Sequence, residues 1–268
     1  MTGYRLSKTG TARHPYYLPD LARNLRSVEE LCWLVTEQPA LIDESITSKA
    51  LTRWLVEEFA MTGTAIRMER AMKNGGALTD YLGPLLVDAD YLTPLEMRAY
   101  FQRLEKLEKA SLPERLLLKA DALAGWRRFG QAIALYQEAA GAAPKDGTEL
   151  LAKIWHNCGA ASMQLLEYEE ALADFERAWA LTGREADRRI WLLALAVAYP
   201  AERFRWEAET RGVPEDAAEA ALREASEALS GPPGAEETAD SGLLAAEADE
   251  LRAAYHREAG RSDRRILS

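Results

Sequence analysis

The sequence predicts an all-α protein, and three observations lead to that prediction. Helix-start signals recur along the 268 residues, no alternating run of useful strand length stands between them, and a helical repeat is recognisable in the second half. We expect a flexible N-terminus over 1–14, an N-terminal helical domain over 15–110, helical-hairpin repeats over 111–213 and an acidic helical segment over 214–268. With 48% hydrophobic residues, such a chain can bury a sizeable core without disulfides or metals.

Three helix starts carry a capping box, in which a hydroxyl caps the third amide of the helix and a glutamate reaches back to the capping residue. The pairs are Ser27 with Glu30, Thr93 with Glu96 and Ser111 with Glu114. Two of these starts also have proline in the first turn, where its missing N–H is not needed. Together with apolar periodicity, the signals predict helices over 27–37, 46–60, 62–73, 76–87, 94–110, 114–126, 129–142, 148–165, 168–181, 185–199, 201–211, 215–229 and 243–259.

The N-terminal helices and the cysteines indicate an ordinary apolar core. Two amphipathic helices carry Trp33 and Trp54, which we expect on the core side. Cys32 and Cys158 lie far apart in apolar helical patterns, which indicates buried thiols, no disulfide and a reducing compartment. The N-terminus lacks the continuous apolar stretch of a signal peptide. The apolar run over 190–201 is about half as long as a membrane span, so we expect a cytoplasmic protein outside the membrane.

A pattern of large and small residues occurs twice in the second half of the chain. A large apolar residue is followed by a small one, then by aromatic residues around a second small one, and finally by alanine. Small residues let two antiparallel helices cross closely, so these are packing positions. The first unit has Leu116, Ala120, Trp126, Phe129, Ala132, Tyr136, Ala139 and Pro144. The second has Trp155, Gly159, Leu165, Tyr168, Ala171, Phe175 and Ala178.

This pattern resembles the tetratricopeptide repeat family, whose units are pairs of antiparallel helices. The two units are offset by 39 residues, from Ala132 to Ala171. That is about five more than the roughly 34 residues typical of the family. A third unit over 188–212 departs from the pattern at Pro200 and Trp206, and we interpret it as a degenerate or capping repeat.

The resemblance implies a concave groove, lined by the first helix of each unit, that receives a peptide or a helix of a partner protein. Carried over position by position, the groove residues of the first unit are Glu114, Leu117, Asp121 and Ala124. Those of the second unit are Lys153, His156, Asn157, Ala160, Met163 and Gln164. An open alternative is that the protein's own terminal helix fills the groove.

The sequence offers no catalytic residues, cofactor site or metal site. His156 and Cys158 are two residues apart on a helix and point about 200° away from each other, so they cannot form a catalytic dyad. The histidines are scattered, and no Cys-x-x-Cys or His-Glu-x-x-His spacing occurs. Gly75 and Gly76 lack the lysine and hydroxyl of a phosphate-binding loop.

The net charge of −10 is concentrated between residues 215 and 250, where eleven acidic residues accompany one arginine. Since no basic face is concentrated elsewhere, nucleic acid is not an expected partner. The stretch over 231–242 is rich in proline, glycine and acidic residues, and we interpret it as a linker.

We therefore expect a non-enzymatic helical-repeat adaptor that binds a protein or peptide segment in its groove. The alternative is a regulator whose acidic C-terminal segment masks a basic surface of a partner. A third hypothesis is self-association through exposed ends of the repeat array.

Overall fold

The computed structural model describes residues 9–230, and within that range the chain is predominantly helical, which confirms the all-α class. The helices are α1 (Val28–Glu37), α2 (Lys49–Phe59), α3 (Thr62–Lys73), α4 (Leu78–Asp88), α5 (Pro94–Lys109), α6 (Leu112–Gly125), α7 (Phe129–Ala142), α8 (Thr148–Gln164), α9 (Tyr168–Thr182), α10 (Glu185–Ala198), α11 (Ala201–Thr210) and α12 (Glu215–Leu229). A single 3₁₀ turn over Pro39–Leu41 follows α1. The predictions for residues 1–8, for the linker over 231–242 and for a helix over 243–259 lie outside the described residues.

A short antiparallel hairpin precedes the helices. Strand β1 (Tyr16–Leu18) pairs with β2 (Arg23–Leu25), and Tyr16 lies opposite Leu25. The expectation of a chain without strands is wrong at this place. Strands of three residues are too short to show the alternation of apolar and polar residues that identifies a strand in a sequence.

Hydrogen bonds hold residues 9–14 to the helices, although they belong to the stretch predicted to be flexible. The Arg13 N–H donates to a carboxylate oxygen of Glu58 at 2.5 Å. The indole Nε1 of Trp54 donates to the carbonyl oxygen of His14 at 2.8 Å. Trp54 is buried, as the sequence predicts, and its ring anchors this segment to α2.

The described chain divides after Ala198 into two compact units. In the first unit, one cluster of buried apolar side chains extends from the N-terminal hairpin to α8. The core is therefore continuous across position 110, where we expected the N-terminal domain to end. In the second unit, an ion pair between Arg205 and Glu219, with an N···O distance of 2.6 Å, joins α11 to α12.

The predicted capping boxes lie at the starts of α1, α5 and α6. Thr93 Oγ1 accepts a hydrogen bond from the Glu96 amide at 3.3 Å, while Glu96 Oε2 accepts one from the Thr93 amide at 2.8 Å. At the start of α6 the glutamate likewise accepts from the amide of the capping residue. Ser27 caps the Glu30 amide, but the Glu30 carboxylate accepts from the Arg26 amide instead, so only half of that box forms.

The turn between α6 and α7 has the same backbone geometry as the turn between α8 and α9. Arg127 and Leu166 both adopt the left-handed conformation, with φ of 59° and 63°. The amide that follows each of them donates to the carbonyl five residues earlier, Arg128 to Leu123 at 2.9 Å and Glu167 to Ser162 at 3.0 Å. The two turns are 39 residues apart, which is the offset of the repeat pattern in the sequence.

Helices α8 and α9 cross closely at Gly159, as the residue pattern predicts. A Cβ atom on Gly159 would lie 3.0 Å from the carbonyl oxygen of Ala171 and 3.1 Å from Cδ1 of Phe175. These separations are shorter than ordinary van der Waals contacts, so a larger residue at this position would require α9 to shift by a few tenths of an ångström. Ala171, Phe175 and Ala178 are buried around it.

Two large side chains predicted to fill the core are exposed. Trp33 is 44% exposed because it lies two residues from both Leu31 and Val35, which are buried, and therefore faces the opposite side of α1. Its ring packs edge to face against that of Trp126, with a centroid distance of 5.9 Å. Leu165 is exposed because α8 ends one residue before it. The prediction that these two side chains fill the core is therefore wrong.

Candidate functional site

An open cleft of about 530 Å³ lies in the first unit between the end of α1, the 3₁₀ turn, α5 and α6. This volume falls within the usual range of ligand-binding clefts, about 300 to 1,000 Å³. The lining residues are Glu37, Gln38, Pro39, Ala40, Arg103, Lys106, Leu107, Leu118, Asp121 and Ala122.

Local sequence signals shape the α1 side of the cleft. Proline at position 39 disfavours a helical conformation at Gln38, so α1 ends at Glu37 and the chain turns through the 3₁₀ segment. Arg103 Nη2 donates to the carbonyl oxygen of Thr36 at 3.2 Å, which ties α5 to the last turn of α1. The guanidinium of Arg103 also lies 5.7 Å from the centroid of the Tyr100 ring.

The floor of the cleft is apolar and its rim is charged. Leu118 on α6 is 41% exposed although it belongs to a run of three leucines, and it faces no covering element. Arg103 and Lys106 contribute positive charge from α5, whereas Glu37 contributes negative charge from α1. Among the described residues, neither Lys106 nor Glu37 forms an ion pair.

Asp121 connects the cleft to α7 and α8. Its Oδ1 atom accepts a hydrogen bond from the Tyr136 hydroxyl at 2.8 Å and another from Asn157 Nδ2 at 2.7 Å. Burial and the bond to Asp121 raise the pKa of Tyr136 above its ordinary value, so the hydroxyl stays a donor. Both hydrogen bonds end on Oδ1, and among the described residues Oδ2 accepts none.

The structure brings together two residues predicted to line the groove, Asp121 and Asn157, but it buries a third. Leu117 is only 3% exposed and belongs to the core of the first unit, so it cannot line a groove. The reason is long-range, because the apolar cluster that includes Leu117 also contains N-terminal residues such as Leu18 and Leu25. Elsewhere on α6, Lys119 Nζ donates to Asp20 Oδ2 at 2.8 Å, and this bond lowers the pKa of the Asp20 carboxyl.

The other predicted groove residues have different environments. His156 is partly buried, and its ring lies edge to face with that of Phe175 at a centroid distance of 5.6 Å, so it packs between α8 and α9. Glu114 is exposed and completes the capping box of α6. Lys153, Ala160 and Gln164 are exposed, whereas Ala124 and Met163 are partly buried.

Cys158 is fully buried, as predicted, and it contacts a buried acid that the sequence pattern did not indicate. Its thiol lies beside Asp174, which accepts a hydrogen bond from Arg177 Nη1 at 2.8 Å. The guanidinium of Arg177 covers the ring of Trp155, 4.7 Å from its centroid. Burial raises the pKa of both Cys158 and Asp174. The thiol therefore remains protonated at neutral pH and is a poor nucleophile.

Sequence patterns did not identify most of the cleft, because its walls come from four separate elements. One signal was present at Leu118. Three consecutive leucines cannot all face one side of a helix, so at least one of them must lie away from the core.

Comparisons with family models, with curated proteins and with solved structures find no match for this chain. Every helix within residues 9–230 is too short or too polar to cross a membrane. Over the same residues, no three histidine, cysteine or acidic side chains are grouped so that they could hold a metal ion.

Proposed function

We propose that the chain is a non-enzymatic adaptor that binds a segment of a partner protein in the cleft between α1, α5 and α6. The observation that carries this proposal is the exposed Leu118 on the floor of an open cleft whose rim carries charges of both signs. Peptide-binding sites combine apolar anchor positions with a few polar groups that fix orientation. The cleft of about 530 Å³ has room for a few side chains of such a segment.

The helix pairs α6–α7 and α8–α9 support the proposal as tetratricopeptide-like units. Their turns share one backbone geometry at an offset of 39 residues, and their small residues occupy equivalent positions. Arrays of this kind commonly present a binding surface along one face. In this chain the hydrogen bond from Asn157 to Asp121 links the first helices of the two pairs at the edge of the cleft.

A selection from a displayed library of random peptides on the immobilised full chain tests the proposal. Synthetic forms of the enriched peptides are then titrated against the wild type and against Leu118→Glu by fluorescence polarisation. We expect Leu118→Glu to weaken binding about tenfold or more, since it removes apolar contact area and introduces a charge on the floor of the cleft.

Leu95→Glu is the matched control, because Leu95 is also an exposed leucine, 77% accessible on α5, but does not line the cleft. It should bind the peptides as the wild type does. The proposal fails if no peptide is enriched, or if Leu118→Glu and Leu95→Glu bind the peptides equally.

A further inference from the structure

We infer that the segment bound in the cleft carries an acidic side chain beside an aliphatic one, with the carboxylate on the α5 side. The inference rests on the proposed function and specifies the chemistry of the partner. The acidic group would bind Arg103 and Lys106, and the aliphatic group would pack on Leu107 and Leu118.

Two cations and an apolar side chain lie together on α5. Lys106 and Leu107 follow Arg103 by three and by four residues, so both are its neighbours on the helix surface, and all three line the cleft. Two cationic groups therefore stand directly beside an apolar surface. This is the arrangement that accommodates a carboxylate next to a hydrocarbon side chain.

Both cations have unused hydrogen-bonding capacity. The guanidinium of Arg103 has five N–H donors, and the structure uses one of its nitrogens, Nη2, for the carbonyl of Thr36. That bond and the Tyr100 ring hold the group in place without neutralising it. Within residues 9–230, Lys106 has no carboxylate partner. A carboxylate is the ligand group that both side chains lack.

The acidic side chains of the cleft limit where a carboxylate can bind. Glu37 on α1 and Asp121 on α6 also line the cleft, so a carboxylate placed beside either of them would meet like charge. The carbonyl end of α1 adds negative potential beside Glu37. The acidic residue of the segment is therefore directed to Arg103 and Lys106 and away from Glu37 and Asp121. Attraction to the two cations together with repulsion from the two carboxylates would favour one placement of the acidic residue in the cleft.

Positional-scanning octapeptides with leucine fixed at the fourth position test this inference on the full chain. In each pool one further position holds a single amino acid, and binding is measured by fluorescence polarisation. We expect pools with Asp or Glu within two positions of the leucine to bind about threefold to tenfold more tightly than pools with Asn or Gln, which corresponds to one or two partly exposed ion pairs. The preference should weaken at 0.5 M salt.

The charge-reversed variant Arg103→Glu with Lys106→Glu should invert the preference, so that pools with Lys or Arg bind best. An inverted preference cannot arise from a variant that fails to fold. If that variant loses helicity, Arg103→Gln with Lys106→Gln replaces it and should abolish the preference while leucine-dependent binding remains. The control is Arg98→Glu with Arg115→Glu, two exposed cations outside the cleft, which should keep the wild-type preference.

The possible results separate this inference from the proposed function. Binding that depends on Leu118 but shows no preference for acid overturns the inference and leaves the proposed function standing. A preference for acid that survives in the charge-reversed variant also overturns it, because the carboxylate would then bind elsewhere. If no pool binds and the chain sediments as a dimer, a second copy occupies the cleft, and both proposals are wrong.

Discussion

Replacing Gly159 by alanine measures how closely α8 and α9 approach each other. In an open helical position, this change would raise the free energy of unfolding by about 1 kcal/mol, because alanine has the higher helix propensity. Here the added methyl group would lie 3.0 Å from the carbonyl oxygen of Ala171 and 3.1 Å from the Phe175 ring. Overpacking of this kind costs about 1 to 3 kcal/mol, since a backbone oxygen cannot move aside alone. We therefore expect Gly159→Ala to be destabilising by about 1 kcal/mol.

The assay is urea denaturation followed by circular dichroism, with the thermal midpoint as a second readout. For a chain of this size, 1 kcal/mol corresponds to a shift of about 2 to 4 °C. Gly130→Ala in α7 is the matched control, because a Cβ there would have no neighbour within 4 Å. It should be stabilising by about 0.5 kcal/mol. Equal stabilisation by both substitutions would refute the close crossing.

Three further predictions concern a strained turn, the Asp121 hydrogen bonds and the salt bridge of Asp20. Leu166 is 68% exposed with φ of 63°, so Leu166→Gly should raise the thermal midpoint and stabilise by up to about 1 kcal/mol, whereas Leu165→Gly, at φ of −93°, should lower it. Asn157→Ala removes a donor to Asp121 and should lower the free energy of unfolding in urea by about 1 kcal/mol; no change would mean that the bond is absent in solution. Lys119 lowers the pKa of Asp20 from its ordinary 3.8, so this pair contributes stability above about pH 4 that is lost as the pH falls through the folded-state pKa. Asp20→Asn should therefore destabilise the chain at pH 7, and its difference from the wild type should shrink by pH 3; a constant difference would contradict the assignment.

Local signals were sufficient to predict the helices, because each one is encoded within a few residues. The box of Thr93 with Glu96 and the proline after Thr93 mark the start of α5 without reference to the rest of the chain. Small residues such as Gly159 likewise indicate a close crossing, since few other reasons place glycine inside a helix. Helix caps and small residues at crossings depend on residues close together in the sequence, so they can be identified from the sequence alone.

Which face of a helix is buried was harder to predict, because it depends on segments distant in the sequence that pack against the helix. Leu117 was expected to line a groove, but it is buried in the apolar core that extends from the N-terminal hairpin to α8. The burial of Asp174 could not be predicted, because an acid on a helix usually faces water and its neighbour Cys158 comes from a different helix.

The cleft could not be predicted from the sequence for the same reason. Glu37 and Leu118 are about eighty positions apart, and no spacing rule relates the end of one helix to the middle of another. Of the predicted groove residues, Asp121 alone lines the cleft, with Asn157 bonded to it from α8. The resemblance to a repeat family predicts a groove along α6 and α8, and it carries no information about α1 and α5, which also line the cleft.

The most direct test of the central claim is a map of backbone amide chemical shifts for the full chain, free and saturated with a library-selected peptide. Binding in the cleft predicts that the largest shifts fall in three separate stretches, 37–40, 103–107 and 118–122. Residues of α9 should be unaffected. Largest shifts in α12, or shifts confined to α8 and α9 with none at Leu118, would contradict the account.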